Sequence, residues 1–266
     1  PSCWIPITLA NKVIMAGDHR QLPPTVLSQD AQELNETLFE SLMDSFGDEI
    51  SSILKTQYRM NEKIMDFSNG KFYDNILKAD NSVAQHTLED LITSQETIQD
   101  DNYIEKAVDP KLPLVYLDTK DLDSAERSRE GSTSKENPTE AEIIEELAVK
   151  LMSYGLDPSD IAVITPYDDQ ADLIGRKIEE ENLEIDTVDG FQGREKEVVL
   201  FSLVRSNDTG NIGFLEDLRR LNVSITRAKR KLVIVGDSDT ISNNDTYSEL
   251  LKYITQNGQL LNIREN

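Results

Sequence analysis

A chain of 266 residues with 38% hydrophobic content can bury a real core, as one large domain or one and a half ordinary ones, and its formal net charge of −23 makes its surface strongly acidic. No stretch is apolar for long enough to span a bilayer, and the opening PSCWIPITLANK lacks the charged start and apolar core of a signal peptide, so the expected compartment is the cytoplasm and no membrane partner is expected. The single Cys3 excludes an internal disulfide, and with only His19 and His86 in addition no zinc-binding spacing exists.

The acidic balance argues against a nucleic-acid partner, because phosphates repel a negative surface and binding free energy comes largely from Lys and Arg displacing counterions. Net charge hides local clusters, however. RRLNVSITRAKRK, residues 219–231, holds six basic residues and no acidic one. Like charges this close repel, and an anionic partner is their natural compensation; a row of surface glutamates is the alternative. A salty cytoplasm would account for the acidity elsewhere.

In chain order, KVIMAGD (12–18) reads as a short buried strand and HRQLPPTV as a loop, since two prolines supply no amide hydrogens. Apolar positions at Leu38, Phe39, Leu42, Met43 and Phe46 give helical spacing, ended by Gly47. SSILKTQYRM reads as a strand running into a loop, and 61–69 as a helix capped by Asn61 and stopped before Gly70. Residues 80–110 carry few periodic signals, which predicts a peripheral segment with short helices at best. PLVYLDT (113–119) is a better strand. The charged, Ser-rich stretch after it, to about residue 137, has the composition of a mobile surface loop.

From there strands and helices alternate: a helix near 139–154, strand DIAVIT, a helix near 168–181, strands EIDTV and EVVLFSLV, a helix near 216–225 and as far as Ala228, strand KLVIVGD, and a final helix near 246–256. This rhythm predicts an α/β fold, a mostly parallel sheet with helices on both faces and its site at the strand ends. The short motifs TPY (165–167), TVDGFQGREKE (187–197) and VRSN (204–207) flank these strands.

The series AGDHRQLPPTV, QYRMN, VDGFQGREKEVVLFSLVRSN and RRLNVSITRAKRKLVIVGD resembles, in order and spacing, motifs III to VI of superfamily 1 helicases. The match is to the 5′-to-3′ branch that includes the nonsense-mediated-decay RNA helicase and the immunoglobulin mu-binding-protein-like helicases. It extends from about Pro1 to the end, poorest around 121–135. The resemblance implies a RecA-like P-loop NTPase fold in which two RecA-like domains sandwich ATP, with cations meeting the charge on the transferred phosphoryl group. Residues 1–54 would be the tail of the first domain and 55–266 the second. By the same resemblance, Arg59 and Arg227 are the two arginines offered to the γ-phosphate, and Gln21 senses that phosphate and the attacking water. Tyr58 stacks on the adenine, Glu195 bonds the ribose, and Gly193 lets the backbone approach the nucleotide. Pro23, Pro24, Thr25, Thr165, Pro166, Tyr167, Thr187 and Val188 face single-stranded DNA or RNA, held through its backbone.

The sequence departs from the family pattern in one respect. Neither a G-x-x-x-x-G-K-[ST] loop nor a Walker-type Asp-Glu for magnesium is found: Gly70-Lys71 is followed by Phe72, and Asp48-Glu49 follows Gly47 rather than an apolar strand. In the family the Asp-Glu lies a few residues upstream of a segment like PSCWIP. The expectation is therefore a C-terminal helicase part whose full-length protein hydrolyses ATP with magnesium and translocates, while this chain alone is inactive and needs the upstream RecA-like domain. A free-standing nucleic-acid-binding module without catalysis and one half of a split ATPase are the alternatives.

Overall fold

The computed structural model describes residues 4–24, 26, 36–92 and 102–264. It divides into two compact units, Pro1–Ile53 and Leu54–Asn266. The first contains helix α1 (Trp4–Leu9) and helix α2 (Leu38–Phe46). The start of α2 is fixed by a capping box: Thr37 accepts from the Glu40 amide while the Glu40 carboxylate accepts from the Thr37 amide. The expected strand at 12–18 does not form. Ile14 is 87% exposed and the run joins no ladder among the described residues, since an apolar strand is stable only between neighbours that take its backbone groups.

In the second unit a two-stranded parallel pair, β1 (Thr56–Gln57) and β2 (Lys78–Ala79), brackets helix α3 (Glu62–Phe72). Asn61 caps α3 as expected, but the helix runs through Gly70. The reversal comes later, where Asp74 and Asn75 take positive φ and Asn69 exchanges two side-chain hydrogen bonds with the Leu77 backbone. After a single 3₁₀ turn at Leu88–Asp90 and helix α4 (Tyr103–Ala107) the main sheet begins.

The remaining elements are β3 (Leu114–Asp118), α5 (Pro138–Ser153), β4 (Ile161–Thr165), α6 (Asp168–Lys177), β5 (Glu184–Thr187), β6 (Lys196–Ser202), α7 (Leu218–Ile225), β7 (Ala228–Gly236), α8 (Ser238–Ile241), α9 (Asp245–Asn257) and β8 (Gln259–Asn262). The six strands β3 to β8 form one all-parallel sheet in the order β5-β4-β6-β7-β3-β8. Helices α4, α5 and α6 cover one face and α3, α7 and α9 the other. Both faces being covered, the strands read as continuous apolar runs with every residue of β3 and β4 buried, and alternate residues serve opposite faces. Val115, Leu117, Val163, Val198, Leu200, Val233 and Val235 form the core under α5. This is the α/β architecture anticipated from the alternation.

The boundaries depart from expectation where polar contacts decide them. α6 stops at Lys177 and α7 at Ile225, so β7 claims Ala228–Arg230, and β8 was not foreseen. The charged stretch at 120–137 lies at the surface, as its composition suggested, but polar contacts tie part of it to the fold. An isolated antiparallel bridge joins Arg127 to Glu136, the buried Glu136 carboxylate takes both Arg127 and Arg129, and buried Asn137 caps α5. Lys120, Asp121, Asp123, Arg127 and Glu130 remain exposed.

Candidate functional site

Because the main sheet is all parallel, it has two rims of different character. At the rim where strands begin, the loop after β1 is shaped by Gln57. Its side chain accepts from the Arg59 and Met60 amides, both at 2.7 Å, and donates to the Met60 carbonyl at 2.8 Å. The loop is pinned to β7 by the Asn61 amide, which donates to the Lys229 carbonyl at 2.8 Å. Tyr58 is thereby held outward, 68% exposed, and Arg59 inward.

The Arg59 guanidinium pairs with the Glu195 carboxylate through Nε, and Nη1 donates to the Thr226 carbonyl at 3.0 Å. Arg227, only 2% exposed, donates from Nε to the Val223 carbonyl at 3.2 Å, from Nη1 to the Arg194 carbonyl at 3.0 Å and from Nη2 to Thr226 Oγ1 at 3.3 Å. Carbonyl dipoles thus offset part of the cost of burying its charge. The two arginines, from segments far apart in sequence, meet on one residue, Thr226. Gly193 lies beside them with φ of +87°, and a Cβ there would touch nothing within 4 Å, so the space over this turn is open. Arg59, Arg227, Glu195 and Gly193 are therefore brought together, with exposed Tyr58 at the edge.

The rest of the basic strip does not wait for an anion. Arg219 pairs with Asp217, Arg220 with Asp189 and Asp217, Lys229 with Glu195 and Glu197, and Arg230 with Glu197 and Asp90. Burial alone would lower the Lys229 ammonium, but the Glu197 and Glu195 carboxylates hold it above the usual lysine range. Lys231 is buried outright, donating to the Asp109 and Leu112 carbonyls, and burial pushes it down to about 7. Compensation comes from this chain's own carboxylates, the alternative that the sequence left open.

At the opposite rim, Thr165 and Thr187 end β4 and β5 in register. Thr165, Pro166, Tyr167 and Val188 are buried and Thr187 half-buried, so this set presents little side chain to a strand. The Val188 amide donates to the Thr165 carbonyl, and the buried Thr165 Oγ1 has no partner. Tyr167 is used internally: its hydroxyl accepts from Arg205 Nη1 at 3.0 Å and from the Phe214 amide at 3.3 Å. Arg205 is buried and also donates to Glu126 and Asn211. VRSN signalled this arginine, but Glu126 lies in the stretch that composition assigned to solvent. Nearby, Glu140 is fully buried and accepts from Ser202 Oγ at 2.7 Å and the Val204 amide at 2.8 Å. Val204 takes a positive φ of 71°, costly for a β-branched residue, and those hydrogen bonds hold it there.

Gln21, Pro23 and Pro24 belong to the first unit, where Gln21 Nε2 donates to Asp18 Oδ2 at 2.8 Å; Thr25 lies outside the described residues. Among the described residues no group of three or more His, Cys, Asp or Glu could hold a metal ion, and no helix is long and apolar enough to cross a membrane.

One family model described as an AAA domain matches residues 34–239, and a second with the same description matches 1–29. The chain is 47% identical over 255 residues to an uncharacterized ATP-dependent helicase of Methanocaldococcus jannaschii, covering 95% of this chain and 36% of that protein. It is 40% identical to the mouse DNA-binding protein SMUBP-2, covering 97% of this chain and 26% of the relative. It is 39% identical to the DNA polymerase alpha-associated DNA helicase A of Schizosaccharomyces pombe, covering 99% and 39%. The chain thus spans between about a quarter and two fifths of the length of these relatives. Through a family model that takes in most of its residues, the chain belongs to the AAA-domain family of superfamily 1 helicases.

Proposed function

We propose that the protein to which this chain belongs couples ATP hydrolysis to translocation on single-stranded nucleic acid, and that residues 55–266 supply the second of its two RecA-like domains, with 1–54 as the tail of the first. The observation that carries the reading is the meeting of Arg59 and Arg227 at Thr226. Two guanidiniums that never deprotonate, one deeply fixed and one on a loop, suit the charge that develops in phosphoryl transfer, and their planar forks fit phosphate oxygens. The residues present fit a nucleotide: open space over Gly193, an exposed ring at Tyr58 for an adenine, and the Glu195 carboxylate for ribose hydroxyls. ATP would supply the phosphoryl group whose transfer drives the cycle. Gln21 is assigned to the γ-phosphate side. Magnesium is assigned no ligand in this chain.

The substrate assignment draws on the relatives, one named a DNA-binding protein and another a DNA helicase, so single-stranded DNA is the first substrate to test and RNA the second. Pro23, Pro24, Thr25 and the rim at Thr165–Tyr167 and Thr187–Val188 are the proposed strand-facing positions, approached through backbone groups where side chains are buried. The test is strand-stimulated, magnesium-dependent ATPase activity of this chain, alone and mixed with an upstream RecA-like part carrying the Walker loops. Turnover only on mixing is expected. Turnover by the chain alone would overturn the assignment of the phosphate and magnesium sites.

A further inference from the structure

Phe214 stands on the 3₁₀ turn Gly213–Glu216 with 54% of its surface exposed. The ring is nevertheless held firmly. It stacks on Tyr167 with centroids 5.2 Å apart and planes 22° from parallel, and its backbone amide donates to the Tyr167 hydroxyl. That hydroxyl is fixed by Arg205, which Glu126 and Asn211 hold in turn. The turn closes only with glycine before it: Gly213 has φ of +54°, and a Cβ there would lie 2.0 Å from Arg205 Nη1. The Arg220 guanidinium carbon lies over the ring, 5.4 Å from its centroid, held by Asp189 at 3.0 Å. The whole assembly lies just beyond the C-terminal end of β4, at the rim assigned above to the strand.

We propose that Phe214, together with the Arg220 guanidinium over it, forms a stacking ledge for an unpaired base of a single-stranded nucleic acid. The inference rests on the nucleic-acid reading above and deepens it. Bases stack on aromatic rings and on guanidinium planes, and every base offers a π-face. A ledge fixed before binding loses little side-chain entropy when the base arrives. Local charge selects the base over the phosphate: Asp189 and Asp217 already neutralise Arg220, so what the ledge offers is its π-surface. This also lets an acidic protein grip a polyanion at a point where few counterions are displaced.

The test is equilibrium binding of a fluorescent oligo-dT and of a strand carrying 2-aminopurine to the 266-residue chain, at about 50 and about 200 mM salt. Phe214→Leu keeps an apolar side chain of similar bulk on an exposed site and is expected to weaken binding on the order of tenfold, equally at both salts, while Phe214→Trp retains it. Quenching of 2-aminopurine by the unaltered chain is expected, and its loss in Phe214→Leu. Wild-type affinity in Phe214→Leu, a loss that Trp fails to restore, or a loss confined to low salt would overturn the ledge. A chain that binds no strand, alone or mixed with the upstream RecA-like part, would remove the nucleic-acid reading along with the ledge.

Discussion

Replacing Glu140 with Gln should abolish a loss of stability that the parent chain undergoes between pH 5 and pH 8. Glu140 is fully buried, and burial pushes its carboxyl from 4.5 up to about 8, against the opposing pull of the Ser202 and Val204 donors. Its folded form therefore holds a proton that the unfolded chain releases above 4.5. Stability from this group is present at low pH and is lost as pH rises through about 8, since the folded state binds more protons throughout that window. At about 1.4 kcal/mol per pH unit, the gap between 4.5 and about 8 amounts to about 5 kcal/mol across the window. Gln never ionises. With its carbonyl toward Ser202 and Val204, its amide nitrogen faces Asn137 Nδ2, which lies 3.2 Å from the present Oε1. The protonated Glu140 carboxyl meets the same donors with its hydroxyl, so a clash of about 1 kcal/mol is common to both proteins at low pH. The variant should match the parent at pH 5 to within about 1 kcal/mol and exceed it by several kcal/mol at pH 8. Urea unfolding followed by circular dichroism at pH 5, 6.5 and 8 measures both curves, and the difference between them cancels the titration of all other carboxylates. Parallel curves would refute the buried, proton-holding carboxyl.

Lys231 works in the opposite sense: burial lowers it to about 7 against 10.5 in the unfolded chain, so the unfolded state holds the extra proton and stability rises with pH between those values. Lys231→Met should flatten that rise in denaturant titrations from pH 7 to 10. Gly213→Ala forces a Cβ into Arg205 at a positive φ, and a loss of more than about 1 kcal/mol is expected in thermal or urea unfolding; an unchanged midpoint would mean that the turn and Arg205 move freely. In the full-length protein, Arg227→Ala should lower the ATP hydrolysis rate on the order of a thousandfold, the scale of a lost arginine finger. Arg59→Ala should do comparable harm, and unchanged turnover in either variant removes that arginine from the phosphate-facing role.

What the sequence made legible followed from strong local signals. Apolar strand runs alternating with amphipathic helices specify the parallel sheet, and Asn61 marks a helix start by an i to i+2 hydrogen bond that needs no tertiary context. The cluster of Arg59, Glu195 and Arg227 was legible through the ordered motifs. The fate of the charges was not. Glu126 reaches Arg205 across 79 positions and Arg230 reaches Asp90 across 140, so no window of local composition contains both partners. The anchoring roles of Glu126 and Glu136 were therefore hidden in the 120–137 stretch, and the basic strip resembled an anion site although most of its charges are paired within the fold. Lys231 is the sharpest case: on sequence it extends the cationic run, and in the fold it is a buried amine among carbonyls.

The connection from β5 to β6 gives the two rims a physical link. Strand β4 lies between those two strands, so residues 188–195 must return from the end of β5 to the start of β6 without a helix of their own. They do so as a turn series: the Phe191 amide donates to the Thr187 carbonyl, the Arg194 amide to the Phe191 carbonyl, and buried Phe191 anchors the middle. At the far end Arg194 and Lys196 pair with Glu184, at the start of β5. This one segment thus carries Val188 and Asp189 at the rim proposed to face the strand and Gly193 and Glu195 at the arginine cluster. Asp189 holds Arg220, on the helix that leads into Thr226 and Arg227. A displacement at the proposed base ledge has two short covalent routes to the arginines, through 189–195 and through α7. Packed segments of this kind pass on discrete shifts. The proposed cycle, alternating between holding phosphate and holding strand, would use such a link, and the chain offers one of eight residues and a two-turn helix.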